Sequence, residues 1–264
     1  MNPRLNPRPD DPLPAMLPAP WQDTHRLALS AALNFAWVGA ALLLGAFALV
    51  RVMPIDGGNF YYKAAGGYLL LLLPLLACLH AHRPHRHFGS ANTVTLIRAA
   101  MVCLLASLYG ERWSNNELLV ASVATLALAL DGVDGWLARC QGTQSRFGAR
   151  FDMETDALLV LVLALLAWQS GQAGIWILAA GLMRYGFIIA TLLWHWMDRP
   201  LPPSLRRKTV CVLQLIALIA CVAPILPDAW RTAAAAGAVL MVTWSFTVDI
   251  AWLVHRRRSP VAAQ

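Results

Sequence analysis

The acidic residues of this chain are few and concentrated. Of 14 Asp and Glu, five fall in the 26-residue window DGVDGWLARCQGTQSRFGARFDMETD: Asp131, Asp134, Asp152, Glu154 and Asp156. On a helix that advances 100° per residue, Asp131, Asp134, Gly135 and Ala138 share one face. Gly148, Asp152 and Asp156 are spaced i, i+4, i+8 and share another. Only a short loop, Cys140 to Phe147, separates the two segments. They therefore read as antiparallel neighbours whose four aspartates converge, with Asp156 about 12 Å along its helix from Gly148 at a rise of 1.5 Å per residue. Four acids in apolar surroundings need a positive partner. Hard divalent cations suit carboxylates, and Mg²⁺ commonly binds a few of them together with substrate phosphates. A two-metal site can bridge a pyrophosphate and stabilise its leaving oxygen. The small residues Gly135, Ala138 and Gly148 leave space for a base or ribose, or for close helix packing. Beside the acids, the ligand pocket is the favoured reading.

The elements that must position these groups are membrane helices. The chain is 58% hydrophobic and only 13% charged, about half the charged share of an ordinary soluble domain. That argues against a soluble enzyme and against a disordered chain. Eight apolar stretches are expected near residues 27–51, 64–81, 92–110, 117–139, 148–168, 173–196, 207–226 and 230–254. Pro74 interrupts the second, which a packed membrane helix tolerates. Residues 1–26 form a Pro-rich polar tail expected to lie in the cytosol, with no cleaved signal peptide expected. Residues 255–264 form a second cytosolic tail. Eight spans would put both ends on one side, together with 16 of the 21 basic residues. Arg51, Lys63, Arg112 and Arg231 fall opposite, and Arg184 is mid-span. By the positive-inside rule the crowded side is cytosolic. That placement accounts for most of the +7 net charge without nucleic acid as a partner.

The spacing D-x2-D-G-x2-A-R-x8-G-x3-D-x3-D resembles the signature of the CDP-alcohol phosphatidyltransferases, integral membrane phospholipid synthases. Asp131, Asp134, Gly135, Ala138, Arg139, Gly148, Asp152 and Asp156 match its eight fixed positions. Asn92, Thr95 and Arg98 resemble the family's first core helix, often P-N-x-x-T-x-x-R, with Ala91 in place of Pro. Arg206, Lys208, Thr209 and Gln214 resemble the G-K-x-K-T-x-x-x-x-Q segment, with Leu205 and Arg206 in place of Gly-Lys. The resemblance implies an all-α polytopic bundle with a six-helix core over about 88–254 and two extra N-terminal membrane helices within 27–87. It implies transfer of a phosphatidyl group from a CDP-alcohol, CDP-diacylglycerol above all, to a small alcohol with release of CMP.

By the same resemblance, Asp131, Asp134, Asp152 and Asp156 would hold two Mg²⁺ or Mn²⁺ ions. Asp156 would also be the general base on the acceptor hydroxyl, and such a base is needed because alcohols are poor nucleophiles. Gly135, Ala138 and Gly148 would surround the cytidine, and Arg139 would contact donor phosphate. Asn92, Thr95 and Arg98 would support the site, and a homodimer is expected. Arg150, Arg184, Arg206 and Lys208, with Arg146 and Arg207, could form a basic mouth for a phosphorylated acceptor such as glycerol 3-phosphate or inositol phosphate. Ordinary positive-inside charge accounts for the same residues. Met153 and Ala157 stand where glycerophosphate enzymes of the family often have Pro and Lys. The preference for Arg over Lys points to a GC-rich bacterial genome, and an integral protein of the bacterial inner membrane is expected.

Arg184 could pair with Glu154 or an active-site Asp, or bind acceptor phosphate. Asp249 is expected to cap or pair locally. His80, His82, His85 and His87 sit in a basic loop with Arg83 and Arg86, and a polar loop explains them better than a metal site. The five cysteines lack metal-site spacing and read as reduced thiols. Two competing functions remain. A polytopic Mg²⁺-dependent prenyltransferase would also use Asp pairs, but in two motifs far apart in sequence. A cation transporter could use the acids as an ion path, but would leave the Gly, Ala and Arg spacing unexplained.

Overall fold

The computed structural model describes residues 20–71, 73, 87–197, 202 and 204–258. The expectations for most of the N-terminal tail, Pro74, Cys78, His80, His82, Arg83, His85, Arg86 and residues 259–264 lie outside that range. Eight α-helices are described and no strand occurs among the described residues: α1 (Pro20–Val52), α2 (Gly57–Leu70), α3 (Ser90–Ala106), α4 (Glu117–Cys140), α5 (Arg146–Gln169), α6 (Ala179–Leu193), α7 (Leu205–Val222) and α8 (Asp228–Arg258).

Four spans, at 26–52, 117–140, 175–193 and 228–256, are long and apolar enough to cross a membrane. They belong to α1, α4, α6 with the 3-10 turn Ile175–Leu178 before it, and α8. The sequence gives eight apolar stretches, and the difference has a chemical cause. Helix α5 carries Arg146, Arg150, Asp152, Glu154 and Asp156 in its first half, and α7 opens on Arg206, Arg207 and Lys208. Helix α3 is apolar but shorter. Helix α2 begins at Gly57 rather than near 64, because Asp56 caps it by accepting from the Gly58 amide at 3.2 Å.

Apolar side chains point outward as well as inward. Leu29, Leu33, Leu44, Leu192, Leu193 and Leu240 are exposed, as suits helices whose outer surface meets lipid rather than water. The bundle is a polytopic helical membrane protein.

Helix α3 packs most extensively on α4 and also against α5, α1 and α2, so it sits centrally. Helices α7 and α8 pair with each other, and α7 also meets α5 and α4. Leu96, Ala124, Ala127, Leu163, Ala164, Leu166 and Leu218 are fully buried in this core. Small residues allow close approach: a Cβ on Gly181 would lie 2.7 Å from the Leu161 backbone, so α6 rests directly on α5.

The turn between α4 and α5 is short, as the spacing predicts. Gly142 takes φ 61° there, a conformation that favours glycine. Ser145 then caps α5, its hydroxyl accepting from the Gly148 amide at 3.0 Å. The result is an antiparallel α4–α5 hairpin with the acidic window at its turn end. At the opposite end, Glu111 accepts from Lys63 at 2.7 Å, and Glu117 pairs with Arg231 at 3.2 Å. Cys103, Cys140, Cys211 and Cys221 are free thiols, as the spacing implies.

Candidate active site

The four aspartates of the window converge, and what they converge on is Arg98 of α3. Its Nη1 donates to Asp134 Oδ2 at 2.7 Å and to Asp152 Oδ1 at 2.5 Å. Its Nη2 lies 2.9 Å from Asp131 Oδ1 and donates to Asp156 Oδ1. Its Nε donates to the Ala127 carbonyl of α4 at 3.2 Å. The side chain is 1% exposed. The positive partner demanded by four clustered acids is therefore partly supplied by the protein itself.

The aspartates are not equivalent. Asp134 is 4% exposed and also accepts from the Thr95 hydroxyl at 2.9 Å. Asp131, Asp152 and Asp156 are 28%, 39% and 21% exposed. These three are partly exposed, and each offers a carboxylate oxygen within 4.8 Å of the others. Three hard oxygen donors at that spacing fit a divalent cation.

The small residues have identifiable neighbours. A Cβ on Gly148 would meet Asn92 Oδ1 at 2.7 Å and Ser145 Oγ at 3.3 Å. Asn92 is buried and donates from Nδ2 to the Phe88 carbonyl at 2.6 Å. The space beside Gly148 is thus taken by an α3 side chain. A Cβ on Gly135 would lie 3.3 Å from Arg139 Nη1. Gly135 and Ala138 are partly buried, and Arg139 is exposed. Asn92, Thr95 and Arg98 all reach the α4–α5 hairpin or the turn before α3, so the i, i+3, i+6 spacing does bring one face of α3 to the acids.

The basic residues divide into engaged and exposed groups. Arg206 Nη1 donates to the Ser245 carbonyl at 2.6 Å and hydroxyl at 2.8 Å, and its Nη2 donates to Asp249 Oδ1 at 2.5 Å. It joins α7 to α8, a fixed position that the sequence reading of a basic mouth does not anticipate. Asp249 pairs across helices with Arg206, and Arg207 Nη1 lies 3.7 Å away. Arg184 pairs with Glu154 at 2.8 Å, one of the partners its mid-span position allows. Arg150 and Lys208 are exposed. Gln214 is buried and donates to the Ala180 carbonyl at 2.9 Å, tying α7 to α6.

A role for Arg98 as common partner of all four acids is missed by sequence reading. Its signal was an arginine inside an apolar helix, which by itself calls for acidic partners. Also missed were Ser30 and Asn34 of α1. Ser30 Oγ accepts from the Phe88 amide at 3.1 Å, and Asn34 Oδ1 accepts from the Thr93 hydroxyl at 2.9 Å. Two polar residues at i, i+4 on an otherwise apolar face were the available sign.

The family model described as CDP-alcohol phosphatidyltransferase matches residues 88–248. The chain belongs to this family. A curated relative, a CDP-diacylglycerol–glycerol-3-phosphate 3-phosphatidyltransferase of Pseudomonas fluorescens, is 30% identical over 137 residues, covering 48% of this chain and 69% of the relative. No solved structure matches. The protein is a transferase of substituted phosphate groups embedded in a membrane, and its family uses CDP-alcohol donors and alcohol acceptors. Its family depends on divalent metal, and the acidic cluster fits that dependence. Membership sets aside the prenyltransferase and transporter readings.

Proposed function

We propose that the protein transfers the phosphatidyl group of CDP-diacylglycerol to glycerol 3-phosphate, releasing CMP. The observation that carries this reading is the convergence of Asp131, Asp134, Asp152 and Asp156 from two helices within one short window. The name of the Pseudomonas relative supports glycerol 3-phosphate as the acceptor.

In this reading the four aspartates hold two Mg²⁺ or Mn²⁺ ions. Bound there, the ions would neutralise the pyrophosphate and favour departure of CMP. Asp156 accepts the proton of the acceptor hydroxyl. The acceptor oxygen forms a bond to the phosphatidyl phosphorus as the bond to the CMP oxygen breaks. Gly135, Ala138 and Gly148 line the cytidine subsite, with Asn92 beside Gly148 forming part of its wall, and Arg139 contacts donor phosphate.

Arg206 is held by Asp249 and Ser245, and Arg184 by Glu154. The exposed Lys208 and Arg150 are therefore the better candidates for the acceptor's phosphate, with Arg184 within reach only by leaving its partner. Arg139, Arg146, Arg150, Arg206, Arg207 and Lys208 crowd the end of the bundle that holds the acids. Charge of that sign supports a cytosolic active site in a bacterial inner membrane. A homodimer is the expected assembly.

The test is CMP release by the purified protein from labelled CDP-diacylglycerol, with glycerol 3-phosphate, inositol phosphate and unphosphorylated alcohols offered in turn. Glycerol 3-phosphate should support release, EDTA should stop it, and Mg²⁺ or Mn²⁺ should restore it. Asp156→Asn should be inactive yet folded. Full activity in excess EDTA, or near wild-type turnover by Asp156→Asn, would sink the assignment. Release with inositol phosphate alone would replace the acceptor but keep the reaction.

A further inference from the structure

Arg98 does more than balance charge. A guanidinium has five N–H donors in a fixed fork, and here it makes five contacts: one to the Ala127 carbonyl and four to carboxylates. The contacts cross the hairpin in pairs. Nη1 takes Asp134 of α4 and Asp152 of α5, and Nη2 takes Asp131 of α4 and Asp156 of α5. Each nitrogen therefore ties one α4 acid to the α5 acid opposite it. The fork fixes the register of the two helices where the acids lie.

Its anchoring makes this a permanent arrangement. The side chain is 1% exposed and its Nε is held by the α4 backbone, so it has no route to solvent. Each aspartate gives it one oxygen, so the second oxygen of each partly exposed acid remains for another cation. A unit positive charge within 2.9 Å of those carboxylates opposes the approach of a divalent ion.

We propose that Arg98 is a positioning residue and built-in counter-ion. It gathers the four aspartates before metal arrives, and it weakens the site's affinity for divalent ions so that they bind together with substrate rather than permanently. This rests on the metal-binding reading of the aspartates above, and it concerns a residue that need not touch substrate. Without Arg98 the metal-free protein would hold four mutually repelling acids in a low-dielectric site. Divalent ions would then take over the structural role and bind more strongly.

The experiment measures Mn²⁺ binding by electron paramagnetic resonance of the free ion, without substrate, for wild type, Arg98→Gln and Arg98→Lys in detergent. Thermal denaturation is followed in EDTA and along an Mn²⁺ titration. Arg98→Gln should bind Mn²⁺ about tenfold more tightly or better, because a competing charge is gone. It should denature earlier than wild type in EDTA, and Mn²⁺ should close much of that gap, since a ligand stabilises the state it binds in proportion to its affinity. Arg98→Lys keeps the charge and loses the fork. It should bind Mn²⁺ within about threefold of wild type but turn over more slowly, because the hairpin register is no longer set.

Equal or weaker Mn²⁺ binding by Arg98→Gln overturns the proposal, as does a stability deficit that Mn²⁺ leaves unchanged. Full turnover by Arg98→Lys overturns the gathering role, and this arm remains decisive if Arg98→Gln does not fold. If neither wild type nor Arg98→Gln binds Mn²⁺, the metal reading fails and the proposal falls with it. That result differs from the case in which wild type binds and the variants match it.

Discussion

Gly148→Ala probes whether a motif glycine keeps space for a ligand or for a neighbouring helix. The added Cβ would stand 2.7 Å from Asn92 Oδ1 and 3.3 Å from Ser145 Oγ. An ordinary carbon–oxygen contact begins at about 3.3 Å, so the Asn92 oxygen must retreat by about 0.6 Å. Asn92 is buried, and its amide nitrogen is bound to the Phe88 carbonyl at 2.6 Å. It cannot retreat without straining that bond or parting α3 from α5. Overpacking of this kind costs about 1–3 kcal/mol, and a weakened hydrogen bond adds about 1 kcal/mol. The intrinsic helix preference of Ala over Gly returns up to about 1 kcal/mol. The net expectation is a loss of about 1–3 kcal/mol. Thermal denaturation of Gly148→Ala, Asn92→Ala and the double variant forms the assay. If the clash is with Asn92, the double variant should recover stability, with a coupling of about 1 kcal/mol or more. Additive losses, or no loss in Gly148→Ala, would refute the packing argument. Activity separates the two uses of the space. A cytidine subsite predicts that the double variant stays impaired in KM for the CDP donor after its stability returns.

Two further expectations concern ion pairs. Asp249→Ala leaves the partly buried Arg206 without its carboxylate partner but with its Ser245 bonds, so it should cost about 1.5–3 kcal/mol, read as an early denaturation midpoint. A change under 1 kcal/mol would show that Arg206 is not a clamp between α7 and α8. Glu154→Gln removes the partner of Arg184, but both side chains are about a third exposed. Stability should change by less than about 1 kcal/mol, and a released Arg184 that binds acceptor phosphate would lower the acceptor KM.

The sequence disclosed the hairpin because helix periodicity and a short loop act locally. Asp131, Asp134, Asp152 and Asp156 meet as their spacing requires. It disclosed less of what lies across from them. Arg98 is thirty-three residues before Asp131, and no periodicity links the two; only the expense of a charge in an apolar helix hinted at a partner. Gly148 was legible as a small residue, but its neighbour Asn92 comes from α3, which local spacing cannot place. Arg206 shows the reverse. Its position among other basic residues suggested an open mouth, and local spacing could not show its pairing with Asp249 of α8. The eight apolar stretches were visible from hydropathy, although charged residues break up α5 and α7.

The contact between α1 and α3 bears on how such an enzyme can be divided. The family match begins at residue 88, yet the amide of that same residue is bound to Ser30. Thr93, one turn into α3, is bound to Asn34, and Arg98 follows on the same helix. The line at which the recognisable enzyme starts is therefore not a line of mechanical separation. A version trimmed to the matched region would strip the Phe88 amide of Ser30 and the Thr93 hydroxyl of Asn34, at the foot of the helix that carries Arg98. Helix α1 is not luggage carried by an autonomous catalyst: through Ser30 and Asn34 it forms part of its foundation.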